Sequence, residues 1–315
     1  MNEENKPQTI NPYNNYKQLV ENFIAELEQG TQPWKQSWKL QRGMPRSAVS
    51  GGEYSGINIL SLMSHKFQSN QWITAKQIEQ LGGRIKEEEL DNTRDIFFLK
   101  NIVKTTTKKD EESDEEKEVE EKHTVLKNYK VYNIDQVEGI NFEEELPLSK
   151  NEKLDEVEKM IAATKVQMYR GSPAYSPKDD CIFMPNIDEF EDKENYYATL
   201  FHELSHWSGH ETRLNRVNHI KKYDDVYAFE ELIAELSSAF LCAKNSISMD
   251  NTAHAEYMSH WVKMLKEKPY VLFSVSTHAS KSAAYISHLA HKTQEQKQKE
   301  DKKLNRFKHH APKVA

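Results

Sequence analysis

The stretch His202-Glu203-Leu204-Ser205-His206 constrains this chain more than any other. On an α-helix, residues i and i+4 lie one above the other on one face, so the two imidazoles can grip a single metal ion. Glu203 lies beside them, where its carboxylate can take a proton from water activated at that ion. The preceding YYATLF is apolar and helix-compatible, as a buried site helix requires. The plain alternative is a pair of helical histidines packed near a surface glutamate.

A catalytic zinc needs a third protein ligand and an open position. The extended pattern H-E-x-x-H-x-x-G-x-x-H fails here: Gly209 fits, but Thr212 occupies the place of the third histidine and His210 has the wrong offset. A later helix supplies the other source, a carboxylate. In residues 229–235, Glu231 and Glu235 are spaced i and i+4 on one face, with Leu232, Ala239 and Phe240 on the other. This resembles the E-x-x-x-D/E arrangement of gluzincins, which implies Glu231 as the metal ligand and Glu235 as the residue that orients a ligand histidine. A solvated glutamate face is the competing explanation. Glu230 and Asp224 are the other ligand candidates. The implied ion is Zn2+ or another divalent transition metal. By fold analogy with zincins, residues 181–185 are the candidate edge strand that aligns a substrate.

At 315 residues the chain has room for about two domains. Only 37% of it is hydrophobic and 30% is charged, which predicts modest cores and solvated segments. The first residues carry no basic or apolar leader pattern, and no apolar run reaches membrane length. Cys181 and Cys242 sit in apolar runs as small reduced hydrophobes. These features predict a cytoplasmic protein with no membrane partner. The net charge of −7 argues against a wholly basic nucleic-acid binder.

Hydrophobic spacing predicts a helix over 13–28, a second over 57–67 and a short one after Thr74. Residues 96–103 and 124–134 have strand composition. The charged run 104–123 between them has nothing to bury and is expected to be a flexible loop. The expected organisation is therefore a small α/β domain over 8–140, a linker over 141–152, a mainly helical domain over 153–291, and a basic, disordered tail over 292–315. The fold class is α+β.

Trp34, Lys35, Trp38, Lys39, Arg42 and Arg46 interleave aromatics with cations, and no acidic residue lies between Glu28 and Glu53. Single strands bind by stacking bases on aromatics within a positive groove. Tyr54 and Trp72 would extend that platform. From spacing alone, the tryptophans are as readily core residues closing a loop over the first helix.

Taken together, the residues resemble the ArdC group of antirestriction proteins. The resemblance rests on Pro33-Trp34, Tyr54-Ser55-Gly56-Ile57-Asn58, Trp72-Ile73-Thr74, Leu81-Gly82-Gly83 and Tyr132-Asn133-Ile134-Asp135-Gln136. It continues through Ala174-Tyr175-Ser176-Pro177, His202 to Gly209 with Trp207, and Tyr227-Ala228-Phe229-Glu230-Glu231. The chain departs from the group's pattern after Gly83-Arg84 and in the acidic insertion 110–121. The resemblance implies an N-terminal single-stranded-DNA-binding domain, a zincin-like metallopeptidase domain, and protection of a mobile element's transferred DNA. Two rivals stay open: a metalloprotease that acts on a host or element protein and is localised by DNA, and a non-enzymatic DNA-binding protein with a structural metal.

Overall fold

The computed structural model of the chain describes residues 11–36, 43–63, 67–109, 116–142, 150–216, 225–249 and 257–309. Helix α1 (Pro12–Glu28) starts where the Asn11 side chain accepts a bond from the Tyr13 amide, with proline in its first turn. Its buried stripe is Tyr16, Val20, Phe23, Ile24 and Leu27, the spacing of one helical face. It ends at Gly30, whose φ of +73° suits only a residue without a side chain.

The N-terminal half continues with α2 (Pro33–Gln36), β1 (Arg46–Ser47), α3 (Ile57–Met63), β2 (Gln71–Ile73) and α4 (Ala75–Gln80). Thr74 and Gln77 form a reciprocal cap at the start of α4. Then come β3 (Arg84–Ile85), β4 (Arg94–Lys109), β5 (Glu116–Asn133) and β6 (Val137–Glu138). One sheet has the order β1-β2-β5-β4, and β3 pairs with β6.

The C-terminal half comprises α5 (Lys150–Thr164), β7 (Gln167–Arg170), β8 (Ala174–Ser176), β9 (Cys181–Met184), α6 (Lys193–Ser208), α7 (Asp225–Asn245), α8 (Met258–Glu267) and α9 (Val271–His309). Its sheet has the order β7-β9-β8. The architecture is α+β, with a mixed N-terminal domain and a mainly helical C-terminal one. Cys181 and Cys242 are buried free thiols.

Three expectations are corrected. Within the charged run 104–123, residues 104–109 and 116–123 extend the hairpin, and 110–115 lie outside the described residues: register continues from Val103↔Lys122 through Lys104↔Glu121 to Lys109↔Glu116. Three consecutive threonines, favourable in strands, lie in this stretch, and the register sets lysines opposite glutamates at both its ends. The segment 292–309 is helical, continuing α9 without a break. Strand β9 is the centre of its sheet and not an edge; β8 is the edge strand that packs alongside α6.

The two halves share one hydrophobic core, in which α1 packs on α8 and α3 on α9. Tyr16 shows why the junction is specific. Its hydroxyl donates to the Pro269 carbonyl at 2.8 Å and accepts from the Phe273 amide at 3.2 Å, satisfying the backbone at the start of α9. Its ring stacks on Tyr270 at 5.5 Å. Farther along, the Gly56 amide donates to Ser280 Oγ at 2.6 Å. Gly56 has φ +60°, a left-handed backbone that residues with side chains rarely adopt.

Trp34 fills the same junction. It is 1% exposed, stacked on Phe23 at 5.6 Å and edge-on to Trp261 at 5.7 Å. Truncating a tryptophan in such a setting costs about 3–5 kcal/mol. We therefore expect Trp34→Ala to destabilise the full chain by that amount in denaturant unfolding, with both halves responding. A loss below about 1 kcal/mol would show that the halves do not depend on this contact.

Candidate metal centre

Helix α6 begins at Asp192, whose side chain accepts the Glu194 amide at 3.0 Å. It buries Leu200, Phe201 and Leu204 together with His202 and Glu203. Across from it, α7 is buried nearly all round from Leu232 to Ala243. A helix hydrophobic on every side must sit inside a bundle, and α7 packs against α5, α6, α8 and α9. Ser238 Oγ donates to the Ala198 carbonyl at 2.8 Å, which draws α7 against α6. The α7 glutamates therefore face the α6 histidines instead of water.

The Nε2 atoms of His202 and His206 are 3.1 Å apart. One Glu231 oxygen lies 3.4 Å from His202 Nε2 and the other 3.5 Å from His206 Nε2. One ligand atom from each of the three residues falls within 4.8 Å of the others. Behind the rings, Glu235 Oε1 is 3.8 Å from His202 Nδ1 and Glu230 Oε1 is 3.5 Å from His206 Nδ1. A carboxylate on the Nδ1 side fixes the ring and leaves Nε2 to face an ion. Arg216 holds Glu230 with two bonds, at 3.1 and 3.2 Å, and also donates to the Ser205 carbonyl at 2.8 Å.

Electrostatics follow from burial. Burial alone would lower the His202 pKa, but the hydrogen bond to Glu231 and the charges of Glu235 and Glu203 outweigh it and hold the imidazole up at about 9. Burial would raise Glu231, yet bonds and charge from His202 and His206 bring it down to about 2. Glu230 is likewise lowered against its burial, by His206 and Arg216. Glu203, Glu230, Glu231 and Glu235 are all buried here beside one buried guanidinium. With neutral imidazoles the cluster is strongly anionic, a charge that a divalent cation balances. Two imidazoles and one carboxylate are also the donor set of an open, three-ligand metal site. The residues fit such an ion.

The structure thus brings together His202, His206 and Glu231, with Glu203 on the same helix and Glu235 behind His202. Glu230 is placed behind His206 rather than toward the gap between the rings. Asp224 lies outside the described residues. Two participants escaped the sequence. Arg216 gave no signal, because its loop has no periodicity. Tyr227 hydrogen-bonds the Glu231 carboxylate, and burial followed by that negative charge raises its pKa; its place one helical turn before Glu231 was the available clue. Tyr175 and His210 make bonds outside this cluster. The Tyr175 hydroxyl donates to Asp180 at 2.9 Å, and His210 Nδ1 lies 2.9 Å from the Thr212 hydroxyl. Arg213 binds Asp180 and lies over the Trp207 ring, pinning the loop after α6 to the β8–β9 turn.

The described part of the expected DNA platform does not form one exposed surface. Trp34 and Trp72 are core residues, each 1% exposed, because their large rings close the junction and the sheet rather than face solvent. Trp72 packs with Leu62, Ile96 and Val131. Lys35 lies in α2 and Arg46 in β1. Tyr54 is partly buried and hydrogen-bonds Tyr129. Trp38, Lys39 and Arg42 lie outside the described residues.

Comparison with known proteins bears on both halves. Residues 13–132 match the N-terminal domain of anti-restriction factor ArdC, and residues 155–278 match a zincin-like metallopeptidase domain. The chain is similar to the metal-free crystal structure of the antirestriction ArdC protein of plasmid R388, at 31% identity and TM-score 0.67, over 88% of this chain and 98% of that one. The Mn(II)-bound structure of the same protein is matched at 31% identity and TM-score 0.66, over 87% of this chain and 97% of that one. A DNA primase TraC of Escherichia coli is 30% identical over 290 residues, 86% of this chain, and a second is 27% identical over 280 residues, 85% of this chain. The chain spans only 27% and 19% of the lengths of these primases. An uncharacterized protein of Sinorhizobium fredii is 28% identical over 91% of this chain and 95% of its own length.

The geometry ranks the glutamates. Glu231→Gln should weaken Zn2+ or Mn2+ binding by more than 100-fold, and Glu235→Gln and Glu230→Gln by roughly 10- to 100-fold, as changes behind a ligand do. Isothermal titration of the full chain reads this directly. A larger loss for Glu230→Gln than for Glu231→Gln would reverse the assignment.

Proposed function

Because the chain belongs to the ArdC antirestriction family, we propose that it binds single-stranded DNA of a mobile element and shields it from restriction, and that its C-terminal half is a zinc metallopeptidase centre. The observation that carries the second part is the convergence of His202, His206 and Glu231, with a carboxylate behind each imidazole. The first part is supported by the match of residues 13–132 to the ArdC N-terminal domain, and by the same segment recurring in proteins named as DNA primases. Among the described residues no helix is long and apolar enough to cross a membrane, which suits a protein that works on DNA and not on a bilayer.

In this account His202, His206 and Glu231 would hold one divalent ion. When bound, that ion supplies Lewis acidity, acidifying water and polarising a peptide carbonyl. Glu203, buried beside the ligands, takes the proton from the attacking water and delivers it to the leaving amine. Glu235 and Glu230 keep the two rings turned with Nε2 inward. Arg216 keeps Glu230 ionised for that purpose. Tyr227, bonded to Glu231, holds that carboxylate in line with the histidines. The partner in the first activity is single-stranded DNA, and in the second a protein substrate.

The two activities separate at Glu203. Glu203→Gln should leave metal content and DNA binding near wild type, since this residue is neither ligand nor surface group. It should lower peptide hydrolysis by about 10²- to 10⁴-fold, the usual worth of a general base. Protection of transferred DNA from restriction should persist, because coating hides DNA without cleavage. Loss of protection with DNA binding intact would instead make proteolysis part of the mechanism.

A further inference from the structure

The hairpin of β4 and β5 leaves the body of the protein as a two-stranded ribbon. At its root Ile96, Phe97 and Val131 are buried. Burial then stops: Phe98 and Tyr129 are each 42% exposed, Leu99 55% and Val103 51%. A two-stranded ribbon is marginal in water by itself, and a cluster of exposed large apolar groups marks a surface that something covers.

Register sorts these residues onto two faces. Arg94, Ile96, Phe98, Lys100 and Ile102 share one face with Val131, Tyr129, Lys127, Val125 and His123. On that face the Phe98 and Tyr129 rings lie 6.1 Å apart, and the Tyr54 hydroxyl bonds Tyr129 at the foot of the ribbon. The charge is of one sign, with Lys100 and Lys127 on this face and Lys122 and Lys130 on the other. No acidic residue occurs in 96–103 or 122–131, which hold Lys100, Lys122, Lys127 and Lys130. Acidic residues enter farther out, where Glu121 sits opposite Lys104.

We propose that this face, with Phe98 and Tyr129 as stacking surfaces and Lys100 and Lys127 as phosphate partners, is where single-stranded DNA docks. Exposed aromatic rings set among cations fit a polyanion whose bases are unpaired, since every base offers a π-face to stack and the lysines follow the backbone. A second protein copy would need a complementary acidic face, and paired bases would leave the rings nothing to stack on. The inference rests on the single-strand-binding reading above and moves its contact surface from the buried Trp34 and Trp72 to an exposed ribbon.

The test uses the full chain and a fluorescent oligothymidylate. Phe98→Ala with Tyr129→Ala should lower affinity by roughly 10²-fold, given about 5- to 150-fold per stacked base. Tyr129→Phe should stay near wild type, because the ring and not the hydroxyl stacks. Lys100→Gln with Lys127→Gln should lower affinity and reduce the slope of log K against log salt by roughly 1.4. All four side chains are exposed, so unfolding midpoints should not move. Wild-type affinity in the alanine pair would overturn the inference while leaving single-strand binding intact. No binding by the wild type would overturn both. A stronger effect of these variants on blunt duplex than on the oligothymidylate, or a DNA-free dimer that they dissolve, would assign the face to another occupant and overturn it as well.

Discussion

Four glutamates, Glu203, Glu230, Glu231 and Glu235, are buried between α6 and α7 against two imidazoles and one guanidinium. Buried carboxylates are costly unless paired, so this cluster dictates much of what surrounds it. Arg216 must fold back from the loop after α6 to meet Glu230. Arg213 must fix that loop to the β8–β9 turn through Asp180 and the Trp207 ring. The α7 helix must lie deep, since its glutamates are useful only where water is excluded. The surrounding glutamates raise the His202 pKa against its burial, and a divalent ion would balance their charge more fully.

Depth in turn requires cover. Helices α8 and α9 supply it, and α1 and α3 of the N-terminal half complete it. Trp261 on α8 donates to the Ala228 carbonyl at 2.9 Å near the start of α7, and the same indole receives the edge contact from Trp34. A continuous packed path thus runs from α2 through α8 to the helix that carries Glu231. The two family domains are distinct in sequence but not in core. A fragment ending near residue 141 would expose Tyr16, Phe23 and Trp34, all of which pack on one another or on the C-terminal half.

Much of the candidate metal site was legible because helical geometry is local: i and i+4 spacing alone aligns His202 with His206 and Glu231 with Glu235. What spacing could not convey was which glutamate faces which ring. Glu230 looked like a spare ligand, and its place behind His206 depends on Arg216, a residue from an irregular loop. The hairpin strands were legible from composition, but their length was not. A charged run reads as solvated whether it pairs or not, and only the register shows the ladder continuing to Lys109↔Glu116. The tryptophans were undecidable from sequence, because an aromatic beside a lysine is equally a stacking surface and a core residue. Packing buries Trp34 and Trp72, Trp38 lies outside the described residues, and the exposed aromatics include Phe98 and Tyr129, inside strands that composition alone marks as structural.

The central claim is that α6 and α7 together form one three-ligand metal site. It is tested most directly by anomalous diffraction from crystals of the full chain grown with Zn2+ or Mn2+. The account predicts a single strong peak bounded by His202 Nε2, His206 Nε2 and a Glu231 oxygen, at about 2.0–2.2 Å for zinc, with Glu230 still bound to Arg216. A peak ligated by Glu230 in place of Glu231, or no peak between the two helices, would contradict it.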